Sequence, residues 1–124
     1  MNGATVIRWG SGIPGREANG LDVFGKAVAR MEELAKQGRI HSHKEFFAVT
    51  GRDGGFMILE GEVEELLRIA AEPETLALNA KAAAIVQEFE LQVYAGGSDQ
   101  SIQELIGNYI TSLSEIGYMG QPTG

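Results

Sequence analysis

Two strand-like runs, residues 39–50 and 55–60, flank Gly51-Arg52-Asp53-Gly54, and the Asp-Gly pair in that connector suits a tight turn with positive φ. Strands joined this closely pair side by side and antiparallel, so the hairpin excludes a sheet built only from parallel crossover units. The rest of the chain is arranged around it. Ahead of the hairpin, Thr5-Val6-Ile7-Arg8-Trp9 is rich in β-branched and aromatic residues and stops at the cluster Gly10-Ser11-Gly12-Ile13-Pro14-Gly15, which reads as a strand and a loop. Leu21, Phe24, Val28, Met31 and Ala35 then recur at spacings of three and four, with charged residues between them. This predicts a surface helix with one buried stripe, capped by Asn19 and ended by Gly38.

After the hairpin, residues 62–86 are helical in composition. Pro73 lacks an amide donor and clashes with the preceding turn, so a break is expected near Glu72-Pro73. Residues 87–95 alternate strictly, with Phe89, Leu91 and Val93 on one face and Glu88, Glu90, Gln92 and Tyr94 on the other, which predicts a strand with one apolar side. Beyond Gly96-Gly97, Ser98 or Ser101 is placed to cap a last helix over about residues 98–116, striped by Ile102, Leu105, Ile106, Tyr109, Ile110 and Leu113. Residues 118–124 read as a flexible tail.

The order is β-α-β-β-α-β plus a C-terminal helix, an α+β, ferredoxin-like layout over residues 1–117. It puts the first and third strands in the middle of an antiparallel sheet and both main helices on one face. The opposite face carries apolar residues as well, so a second layer is expected there, from the last helix or from a partner's sheet. A length of 124 residues fits one core. No cysteine is present, which removes disulfides, thiol nucleophiles and Cys-based zinc sites and fits the cytoplasm. No apolar run is long enough for a membrane span and the first residues lack a basic leader region, so no membrane partner is expected. A net charge of −7 disfavours nucleic acid.

Several motifs invite stronger readings. The loop matches the G-x-G-x-x-G dinucleotide fingerprint literally, but Pro14 stands where a helix should already run, and the next strand returns through a hairpin instead of a crossover. No cofactor is expected from it. Residues 52–59 resemble an RNA-binding strand at Arg52, Gly55 and Phe56, yet Gly54 and Leu59 occupy the aromatic positions. His41, His43 and Glu45 alternate along the second strand, where residues two apart are about 6.6 Å apart, so the two imidazoles are candidate acid-base groups or a metal pair wanting a third ligand. Solvent-facing histidines on an edge strand are the plainer reading, and no metal is assigned. Arg8 stands in a strand expected to be central, where an arginine needs a partner. It is either an ion pair with Glu90 or Glu60 at a dimer interface, or an anion clamp in a pocket walled by Trp9 and Tyr94.

Val6-Ile7-Arg8-Trp9-Gly10, the helix end Glu33-Leu34-Ala35-Lys36-Gln37-Gly38-Arg39-Ile40, the strand end Gly55-Phe56-Met57-Ile58-Leu59-Glu60-Gly61 and Glu88-Phe89-Glu90-Leu91 resemble the dimeric α+β barrel superfamily. Within it the chain is similar to small bacterial proteins related to the YCII-like group, over about residues 4–97. The resemblance implies a homodimer packed sheet against sheet, with a pocket between sheet and helices in each subunit. It also implies a range of activities that includes cofactor-free monooxygenases, lactone isomerases and haem enzymes. The His-Asp arrangement of the YCII-like group has no counterpart near the first strand. The expectation is a homodimeric small-molecule-binding protein, with a cofactor-free enzyme on an aromatic or carboxylate metabolite as its narrower form and a non-catalytic oligomerisation module as the alternative.

Overall fold

A computed structural model describes residues 1–117; the expected tail at 118–124 lies outside the described residues. The elements are β1 (Asn2–Trp9), α1 (Glu17–Lys36), β2 (Ser42–Phe47), β3 (Gly55–Glu62), α2 (Val63–Ala71), α3 (Pro73–Ala83), β4 (Glu90–Ala95) and α4 (Asp99–Glu115). The four strands form one antiparallel sheet in the order β2-β3-β1-β4, with β1 and β3 central. Helices α1, α2 and α3 cover one face of it. Among the described residues, α4 leans chiefly on β4 and leaves the other sheet face open.

Alternation decides what each face carries. Met57 and Leu59 of β3 point into the helical layer and are 3% exposed, while Phe56, Ile58 and Glu60 turn to the open face. Met31 and Leu34 of α1, Ile40, and Leu66 and Ile69 of α2 complete the core. Gly38, with φ 74°, ends α1 in the left-handed conformation that a helix C-terminus favours. The expected helix break falls where proline requires it: Glu72 is extended, at φ −66° and ψ 143°, and α3 starts on Pro73.

Boundaries moved where tertiary contacts outweighed local pattern. Helix α1 begins at Glu17, with Arg16 in the cap position, and Asn19 lies inside it. The hairpin connection is not tight: β2 ends at Phe47, β3 starts at Gly55, and residues 48–54 form a longer loop closed by Ala48 N–H donating to Gly54 O. Register explains this, because pairing Phe46 with Phe56 and Phe47 with Gly55 exhausts the ladder before Asp53 is reached. Residues 85–88 do not extend β4. They lace instead to the glycine-rich loop, with Gly10 N–H on Gln87 O, Gln87 N–H on Ser11 O and Ile13 N–H on Ile85 O.

A charged cluster fixes the α2–α3 elbow to its neighbours. Arg30 Nη2 donates to Glu72 at 3.0 Å, Arg39 also donates to Glu72, and Arg39 Nε reaches Glu65 at 2.6 Å. Hydrogen bonds from Arg39 and then Arg30 hold the Glu72 carboxyl at about 2, below its usual 4.5. A depressed folded pKa adds stability that is complete above about 4.5 and is lost as pH falls toward 2. The melting temperature of Glu72→Gln is therefore expected to vary less than wild type between those pH values, as measured by circular dichroism. Parallel pH profiles would remove Glu72 as a source of acid sensitivity.

Candidate functional site

The space between the sheet and α1–α3 is not filled. A cavity of about 460 Å³ lies there, within the range of small-molecule sites. Its floor is the helix-facing side of the sheet, with Thr5, Ile7 and Trp9 of β1, Met57 and Leu59 of β3, and Leu91 of β4. Phe24, Ala27 and Met31 of α1 and Leu78, Asn79 and Ala82 of α3 form the roof. One end is aromatic: Trp9 stands edge-on to Phe24 and Phe47, at centroid distances of 6.1 and 5.7 Å. The Trp9 indole occupies the place a side chain on Gly55 would take, since a Cβ there would come within 2.8 Å of the ring and 2.2 Å of Phe46 O. Gly10 and Gly12 of the laced loop, with Arg16, Glu17, Asp53 and Gly54, line the same volume.

Three of the four charged side chains that border the cavity have partners, Asp53 being the exception among the described residues. Arg30 donates to Thr75 Oγ1 at 2.9 Å and is paired with Glu72 and Glu74. Arg16 donates to the Ala84 carbonyl, and Glu17 accepts from Gly15 N–H at 3.2 Å.

The six residues singled out from sequence are dispersed. Trp9 lines the cavity, but Arg8, its neighbour on the strand, is exposed on the open face with Glu90 and Phe56 as cross-strand partners. Adjacent strand residues point to opposite sides, so Arg8 and Trp9 are not joint walls of that cavity. They meet only at a shallow depression at the sheet end, which Glu90, Arg52 and Glu88 also border. Tyr94 sits opposite Ala4, about 13 Å along the strand from Glu90, and its hydroxyl donates to Gln92 at 2.5 Å. With His41 and Glu60 it borders a separate depression.

The expected alternation of His41 with His43 is also broken. The chain bends over residues 39–41 to bury Ile40, and His41 leaves the face that His43 takes. His43 Nδ1 pairs instead with Glu45 Oε1 at 2.5 Å on the helix-facing side of β2. Neither histidine lines the large cavity, and among the described residues no group of three or more metal-ligating side chains forms. The residues that sequence reading missed are Thr5, Arg30, Thr75 and Asn79. Thr5 had a readable signal, a polar residue at an inward position of an alternating strand. The helical ones had none, because only the fold of α3 over α1 turns them toward one space.

No protein-family model matches the chain, and no curated protein matches it by sequence. Solved structures do match in fold. SnoaB from Streptomyces nogalater, a cofactor-independent oxygenase, superposes with a TM-score of 0.59 at 17% identity, over 78% of this chain and 94% of its own. A conserved protein of unknown function from Bacteroides thetaiotaomicron, described as a possible oxidoreductase, gives 0.55 at 14% identity, over 75% and 94%. A dimeric protein of unknown function with a ferredoxin-like fold from Bacteroides fragilis gives 0.52 at 13% identity, over 74% and 94%. The chain has the ferredoxin-like α+β fold that these proteins share. No helix among the described residues is long and apolar enough to cross a membrane.

Proposed function

We propose that the chain is a homodimeric small-molecule-binding protein that takes a mostly apolar ligand between its sheet and helices, and that its narrower role is cofactor-free catalysis on that ligand. The cavity of about 460 Å³, open to a ligand and walled by Trp9, Phe24 and Phe47, is the observation that carries this reading. A core that served stability alone would close such a volume, because voids forfeit dispersion contacts. The dimer is supported by the open sheet face, where Phe46 and Phe56 stack at 4.8 Å while 43% and 38% exposed, beside Val6 and Ile58. It is also supported by the Bacteroides fragilis neighbour, a dimeric protein. Descent within the YCII-like group belongs to this proposal and rests on the sequence segments alone. The two histidines have no part in it.

Trp9 is the sole tryptophan and lines the cavity, so its emission reports occupancy. Saturable quenching by 1-naphthol, a neutral aromatic probe, is expected. In Ala82→Phe, which fills the roof, binding should weaken at least about tenfold, and the melting temperature should hold or rise. Quenching that never saturates, or that ignores Ala82→Phe, would end the cavity reading.

The second reading, a non-catalytic oligomerisation module, is favoured by α4. Ile102, Ile106, Tyr109 and Ile110 are 44 to 66% exposed along one side of a helix that has little support from its own chain.

A further inference from the structure

Thr5 is out of place as a core residue. It is 4% exposed, on the helix-facing side of central strand β1, between Leu59 and Val93. Valine has nearly its shape, suits a buried strand and leaves no hydroxyl to satisfy. Yet the Thr5 hydroxyl meets no hydrogen-bonding partner among the described residues. It is not sealed in either, since no fully enclosed polar side-chain atom there lacks a partner. It therefore borders the cavity it lines. Asn79, half-buried on α3 and lining the same cavity, also has a carboxamide without a partner among the described residues. Floor and roof thus each present an uncharged hydrogen-bonding side chain to a mostly apolar lining, with the Trp9 indole at one end of the floor.

The charges point the same way. Arg30 is held by Glu72, Glu74 and Thr75, and Arg16 by the Ala84 carbonyl. The carbonyl leaves the Arg16 charge in place, but Arg16 is exposed and Glu17 and Asp53 border the same volume, so a carboxylate ligand would meet two carboxylates against one uncompensated guanidinium. We infer that the cavity selects a neutral, largely apolar molecule bearing a hydroxyl or carbonyl group, which the Thr5 hydroxyl and the Asn79 carboxamide receive. The inference rests on the cavity being a ligand site, and it takes the aromatic side of the aromatic or carboxylate metabolite expected from sequence.

Equilibrium dialysis of the full chain against naphthalene, 1-naphthol and 1-naphthoate tests it. Wild type should hold 1-naphthol roughly two- to tenfold tighter than naphthalene, the worth of one hydrogen bond, and 1-naphthoate weakest of the three. In Thr5→Val the preference for 1-naphthol should shrink or vanish while naphthalene affinity and melting temperature do not fall. Thr5→Ser, which keeps the hydroxyl, should retain the preference, and Asn79→Leu should reduce it. A preference that survives in the Thr5→Val, Asn79→Leu double variant overturns the inference, as does 1-naphthoate binding best. Binding of all three probes without preference overturns it too, while leaving the cavity as a ligand site. If none of the three binds, the ligand site itself falls, and the inference with it.

Discussion

A chain carrying Val6→Asp is expected to sediment as a monomer at concentrations where the proposed homodimer of the unaltered protein holds together. Val6 lies in central strand β1, opposite Ile58 on one side and Gln92 on the other, in the middle of the face that the helices leave open. In a subunit alone that position is only half-buried, so a carboxylate there keeps water and the fold survives. Between two sheets the same carboxylate loses its water. An unpaired charge in such an interface costs roughly 2–5 kcal/mol, or about thirtyfold or more in dimer affinity. Far-UV circular dichroism should match wild type, so loss of the dimer is not mistaken for unfolding. A dimer of undiminished stability would exclude this face as the interface. Ending the chain after Gly97 asks the complementary question: the sheet-face reading expects the dimer to remain, whereas a folded monomer would move the interface to the stripe of Ile102, Ile106, Tyr109 and Ile110 on α4.

The largest loss of stability is expected from Leu66→Ala. Leu66 is 0% exposed, the one large side chain fully enclosed among the described residues, and it sits where α2 presses the sheet beside Ile40 and Gly61. Removing it forfeits the transfer energy of the lost methyl groups and leaves a hole, together about 2–5 kcal/mol. For a domain of this size that is a fall of roughly 10 °C or more in melting temperature. Leu67, next in sequence but 53% exposed, is the internal control, and Leu67→Ala should stay within about 0.5 kcal/mol of wild type. Equal losses at the two positions would mean that α2 meets the sheet through a different face.

Element order was legible because it is written in local patterns. The alternation of residues 87–95, of which 90–95 form β4, the stripe of α1, the proline at 73 and Ser98, whose hydroxyl accepts from Ser101 N–H, each act within a few residues of where they stand. The hairpin loop is longer than its residues suggest: Asp53-Gly54 has the chemistry of a tight turn, while the pairing of Phe46 with Phe56 sets the register and leaves residues 48–54 outside it. The candidate site was less legible. Arg8 and Trp9 are adjacent in sequence, and neighbours on a strand face apart. Tyr94 stands opposite Ala4, a register set between strands and not by any local pattern. The bend that separates His41 from His43 follows from burying Ile40, a tertiary demand with no local signature. The cavity joins Thr5 to Asn79 across 74 positions of chain, and only the closed fold brings them to one space.

Strand β1 serves two territories at once. Thr5, Ile7 and Trp9 belong to the cavity, whereas Ala4, Val6 and Arg8 belong to the open face, and a single backbone divides them. One residue inserted or deleted early in this strand would exchange the two sets downstream. Arginine would be thrust into an apolar hollow and the indole turned out toward the open face, so one indel would corrupt both surfaces at once.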